Sequence, residues 1–147
     1  MGKSLKKNRW SIALALLLSV AGMLSLCNAG CMAAKSVSVN YGTSKLYSVV
    51  EMEKAIEAVK EDFTKLEGCR LYSLSYAGDE RCKQELEYAN KGRSQDDLYT
   101  ECIVFDSVFR SPHAGGGAWE ANKKYYWSWI LAKTANGGWM VINKGYA

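Results

Sequence analysis

The run KYYWSWILAKTANGGWMVINKGY, residues 124–146, constrains the fold more than any other part of the chain. Tyr125, Tyr126, Trp127 and Trp129 crowd into five positions and lead directly into Ile130 and Leu131. Aromatic and β-branched residues at this density fit a pleated surface, so the segment reads as a strand. Asn136-Gly137-Gly138 is a hairpin signal, and it returns the chain along a second strand, WMVINKGY. A two-residue loop there puts Trp127, Trp129 and Leu131 on one face with Met140, Ile142 and Tyr146. Ser128, Ile130 and Ala132 then share the other face with Trp139 and Val141. The aromatic stripe reads first as sheet core and second as the lining of a cavity.

The remaining elements follow from period and punctuation. YSVVEMEKAIEAVKEDFTKLEG predicts a helix with Ser48 as N-cap, Glu51 as its capping-box partner and Gly68 as the stop. Met52, Ile56, Val59, Phe63 and Leu66 recur along one helical face, and the opposite face alternates charges and belongs in solvent. CRLYSLSYA, residues 69–77, alternates as a strand. Asp79 is placed to cap a second helix that runs to Lys91 and stops at Gly92. Its apolar positions Cys82, Leu86 and Ala89 are sparse, so it should pack lightly. LYTECIVFDSVFR, residues 98–110, is a long strand with Ile103, Phe105 and Phe109 on one face and Cys102, Val104 and Val108 on the other. Two apolar faces require two covers. The expected class is α+β: a curved, mostly antiparallel sheet with helices packed on one face and the other face partly enclosed.

At 147 residues with one proline, the chain suits one compact domain. Its formal net charge of +4 comes entirely from Lys3, Lys6, Lys7 and Arg9, because the rest carries fifteen basic and fifteen acidic residues. A nucleic-acid footprint is therefore not expected. The next 25 residues, Trp10 to Ala34, hold no charge, and small residues close the stretch. This order, basic then apolar then small, is that of an export signal. Its apolar centre, Ile12 to Leu26, falls short of the roughly 20 residues a spanning helix needs. Residues 1–34 are thus expected to be a signal peptide or a lipoprotein signal. Signal peptidase would find small residues at Cys27 with Ala29, or at Cys31 with Ala33. Cys31 is the lipidation candidate: Ala29 and Gly30 precede it correctly, although Asn28 stands where an aliphatic residue is usual. The outcomes are release, a lipid tether through Cys31, or an uncleaved anchor, and each places the domain outside the cell or on the outer face of its membrane. KSVSVNYGTSK then reads as a tether, making residues 35–46 a linker and residues 47–147 the domain.

The order helix, strand, helix and three long strands, with YSVVEMEKAIEAVKEDF, GCRLYSLSYAGDE and YYWSWILAKTANGGWMVINKGY, resembles an uncharacterised family of exported Gram-positive bacterial proteins. That family has a domain like nuclear transport factor 2, a cone-shaped α+β fold. The resemblance covers about Tyr47 to Tyr146, and W-x-W-I-L followed by a glycine-tipped hairpin and a terminal G-Y is its most specific part. It implies the cone but no activity, since that fold hosts isomerases, dehydratases and plain binding domains.

No residue of this chain matches a catalytic motif of such enzymes. His113, the only histidine, lies in the glycine-rich loop RSPHAGGGAWEANKK and is expected to be exposed. Asp106 interrupts an apolar strand face, where it either lines a cavity rim or meets a partner. Cys69, Cys82 and Cys102 are an odd set without metal-ligand spacing. They read as small buried thiols, with one disulfide from Cys69 to Cys82 or Cys102 as the alternative. No metal or cofactor is expected. The pocket candidates are Asp106, Tyr72, Tyr76, Trp127 and Trp129. The expected function is a non-enzymatic exported or surface-anchored domain that binds a small apolar ligand, a peptide or a partner protein. The alternative is a small cone-fold enzyme that uses a pocket acid for proton transfer.

Overall fold

The computed structural model describes residues 36–147, and the segment read as an export signal, Cys31 included, lies outside them. In chain order the elements are β1 (Ser38–Asn40), α1 (Val49–Phe63), β2 (Arg70–Tyr76), α2 (Asp79–Asn90), a 3-10 turn (Gln95–Asp97), β3 (Cys102–Arg110), β4 (Lys124–Lys133) and β5 (Trp139–Tyr146). One five-stranded sheet takes them in sequence order; β1 runs parallel to β2 and every other pairing is antiparallel. Among the described residues no helix is long and apolar enough to cross a membrane.

α1 forms where its grammar places it. Ser48 caps it by accepting the Glu51 N–H at 3.2 Å, but the Glu51 carboxylate turns to Lys54 and Lys133 instead of closing the box. The helix ends at Phe63, with Thr64 as C-cap, and Gly68 serves the turn into β2 at φ +71°. Met52, Ala55, Ile56, Val59 and Phe63 are buried against the sheet. The Phe63 ring lies 5.5 Å from Phe109 and 6.1 Å from Trp129, so α1 covers the face shared by β3 residues 105, 107 and 109 and β4 residues 125, 127 and 129. Ion pairs hold both ends of the helix to the sheet, Glu51 to Lys133 and Asp62 to Lys144.

α2 lies on the opposite face. It packs on β3, burying Cys82 near the Cys102 and Val104 side, and its later turns approach Ser128, Ile130 and Asn143. The helices therefore do not share one face, because β3 presents apolar residues on both sides and each side takes its own cover. That cover is incomplete: Cys102 and Val104 are buried, while Asp106, further along the same face of β3, is exposed.

Three local expectations change. The stretch read as a tether contributes β1, pairing Ser38 with Ser73, Val39 with Leu74 and Asn40 with Ser75. β3 begins at Cys102 rather than Leu98, because the Asn90 side chain pairs with both backbone groups of Tyr99 and bends the chain before the strand. The hairpin loop has five residues, Thr134 to Gly138, since Lys133 is the partner of Trp139. Trp139 and Val141 consequently share a face with Lys133 and Leu131, and Met140 falls beside Ala132. Ile142 is then an extra residue in β5, a bulge that reverses the phase and returns Tyr146 to the face of Trp127 as expected.

Asp79 opens α2 but does not cap it through its side chain. Its carboxylate accepts from the Ser44 hydroxyl at 2.6 Å, the Lys45 N–H at 2.8 Å and the Tyr76 hydroxyl at 2.8 Å, fastening the loop before α1 to the sheet. These hydrogen bonds, Ser44 first, hold the Asp79 carboxyl at about 2, below its ordinary 3.8. A carboxyl depressed by folding adds stability above its unfolded value and loses it as pH falls toward the folded one. Asp79→Asn should therefore destabilise the domain most above about pH 4, and the gap from wild type should close toward pH 2. Urea melts across that range check this; a gap independent of pH would contradict the assignment.

Candidate ligand groove

Because α2 covers only part of its face, a groove remains between the helix and strands β4 and β5. Its volume is about 610 Å³. Arg81, Glu85 and Tyr88 form the helix wall, and Ser128, Asn143 and Gly145 lie on the strand side. Gly145 stands opposite Ser128 in the register, and a Cβ built on it meets no atom within 4 Å. The floor of the groove is thus open because one strand residue has no side chain.

Tyr88 flanks this space with its ring in solvent at 67% exposure, whereas Tyr146, at the end of β5, turns its ring to the other face beside Tyr125 and Trp127. Arg81 Nε and the Glu85 carboxylate pair at 2.9 Å one turn apart on α2, so these two charges largely neutralise each other. A second cavity of about 280 Å³ shares Glu85, Tyr88, Ile130 and Asn143 with the first and extends toward Arg93 and Tyr99. The Arg93 guanidinium sits 4.2 Å above the Tyr99 ring and rigidifies that end. Together the two cavities make a track along α2.

Asp106 sits at the margin of the groove. It is exposed, and its carboxylate accepts a 2.6 Å hydrogen bond from Ser128, which lines the groove. The other sequence candidates lie elsewhere. Trp129 is fully buried under α1, with its indole N–H donated to the Ser107 hydroxyl at 2.9 Å. Trp127 is half-buried among Phe109, Trp119 and Tyr146. Tyr76 donates to Asp79 in the cluster that fastens the loop before α1, and burial raises its phenol well above the ordinary range. Tyr72 lies beneath the Arg70 guanidinium, 5.0 Å from its ring. These four rings do not converge with Asp106 on one cavity, and none of them lines the 610 Å³ groove.

Cys69, Cys82 and Cys102 are free thiols. Burial pushes Cys102 up to about 12 and raises Cys82, so neither is a thiolate nucleophile at neutral pH. His113 is exposed in its loop. Among the described residues no three His, Cys, Asp or Glu side chains gather in a way that could hold a metal ion.

Tyr88, Asn143 and Gly145 were not singled out by the sequence pattern as site residues. Gly145 carried a usable signal, since a glycine inside a strand marks a bulge or a place left open for close approach. Tyr88 carried a weaker one, an aromatic ring on a helix with few apolar partners. No family model matches this sequence, and neither the curated proteins nor the solved structures contain a significant match to it.

Proposed function

We propose that this chain is an exported, non-enzymatic binding module that takes its ligand in the groove between α2 and strands β4 and β5. The observation that carries the proposal is the open floor at Gly145, a groove kept clear by the absence of a side chain. Export, with release or a lipid tether at Cys31, rests on the signal grammar of residues 1–34. The cone resemblance is not needed for this function. The lining also revises the ligand: paired charges, amides and hydroxyls suit a partly polar molecule better than a purely apolar one. A fragment library screened by backbone amide NMR tests the site. Shifts should cluster at Ser128, Ile130, Asn143 and Gly145 in wild type. Gly145→Leu, whose backbone is not in the left-handed region, should fold normally and abolish them. Fragments that bind only elsewhere, or that bind Gly145→Leu equally well, would refute the groove.

A further inference from the structure

We infer that the ligand is a neutral saccharide chain, an assignment that rests on the groove being the binding site. Three features of the groove converge on that chemistry.

The first is shape. Cavities of about 610 and 280 Å³ join through shared walls into a track along α2, which suits a chain of repeated units better than one compact molecule. The second is the pairing of surfaces. A sugar ring has a flat, weakly apolar C–H face and a rim of hydroxyls. Tyr88 offers an exposed ring for the first, and the tyrosine is an aromatic platform that loses little entropy on contact. Gln84, Ser128 and Asn143 offer side chains that both donate and accept, as hydroxyls require. The third is charge. Arg81 and Glu85 are paired with each other, Lys91 lies one helical turn from Glu87 on the same wall, and Lys144, the remaining charged lining residue, is paired with Asp62, so the groove has no strong net sign to select an ion. That balance complements a neutral ligand.

A peptide would find little here. Peptide recognition on a sheet uses free backbone groups at an edge and pockets for alternate side chains. This groove runs over a sheet face: β4 has both of its neighbours in place, and the free backbone groups of the edge strand β5 point outward in the plane of the sheet, away from the groove floor. Its floor at Ser128 and Gly145 holds no enclosed apolar socket.

The test is titration of the full chain with neutral hexasaccharides of the β-1,4-glucan, chitin, α-1,4-glucan and mannan series, followed by calorimetry and amide NMR. At least one series should bind with shifts at Ser128, Asn143 and Gly145, and its disaccharide should bind more weakly. Tyr88→Ala removes an exposed ring, so it should fold normally and weaken binding by about tenfold or more, as loss of an aromatic anchor does. Gly145→Leu should abolish binding. If fragments map to the groove but every hexasaccharide fails, or an uncharged hexapeptide binds there instead, the saccharide assignment is overturned while the groove stands. Saccharide binding that Tyr88→Ala leaves unchanged also overturns it. If neither fragments nor saccharides touch the groove, the binding-site proposal itself falls.

Discussion

Replacing Trp129 with alanine is expected to destabilise the domain by about 3–5 kcal/mol. The indole is 0% exposed and sits where α1 meets the sheet, 6.1 Å from the Phe63 ring and 6.2 Å from Trp127. Lys144 lies across it at 5.2 Å on its way to Asp62, so the ring also supports the ion pair that fastens the end of α1. Truncation removes the transfer energy of the ring and leaves a cavity that neither the helix nor three paired strands can close. The hydrogen bond to Ser107 goes too, although that hydroxyl keeps its own acceptor, the Trp127 carbonyl at 3.0 Å. Tyr126, three positions earlier and on the other face, is 56% exposed, and its alanine variant should shift stability by less than about 0.5 kcal/mol. Urea melts of the two variants give the comparison. Equal effects would mean that the aromatic stripe is not the core on which α1 rests.

Local chemistry was legible in the sequence and long-range chemistry was not. α1 could be read because its cap, its apolar spacing and its charged face all agree within one segment. β4 could be read because bulky residues at its positions leave few alternatives to a strand. β1 could not, since three residues show no period and its pairing depends on Leu74 and its neighbours, which arrive only after α1. The hairpin misled for a specific reason: Asn136-Gly137 marks a turn, but Thr134 closes a wider loop by bonding Gly138 through backbone and side chain alike. Asp79 has a position that suggests a local capping role, while Ser44, Lys45 and Tyr76 recruit it to a different one. The groove was hidden for the same reason. It exists only because α2 stops covering its face beyond Val104, and no residue on that helix announces where its shadow ends. Asp106 came nearest to a signal, an acid in an apolar stripe, and it stands where the cover runs out.

The most direct test of this half-covered face is thiol labelling at three positions of β3, read by peptide mass spectrometry so that the other cysteines are resolved. Asp106→Cys places a thiol on the bare half of the face. The native Cys102 lies on the same face under α2, and Ser107→Cys points to the buried face under α1, where the wild-type residue is 3% exposed. The thiol introduced at position 106 should react with iodoacetamide at nearly the rate of a small peptide thiol. The thiols at 102 and 107 can react only when the domain opens, which for a stable domain should slow them by about a thousandfold or more. That ordering, fast at 106 and slow at both 102 and 107, is the result this architecture predicts. Protection at 106 comparable to that at 102 would show the face to be closed and would contradict the groove on which the function rests.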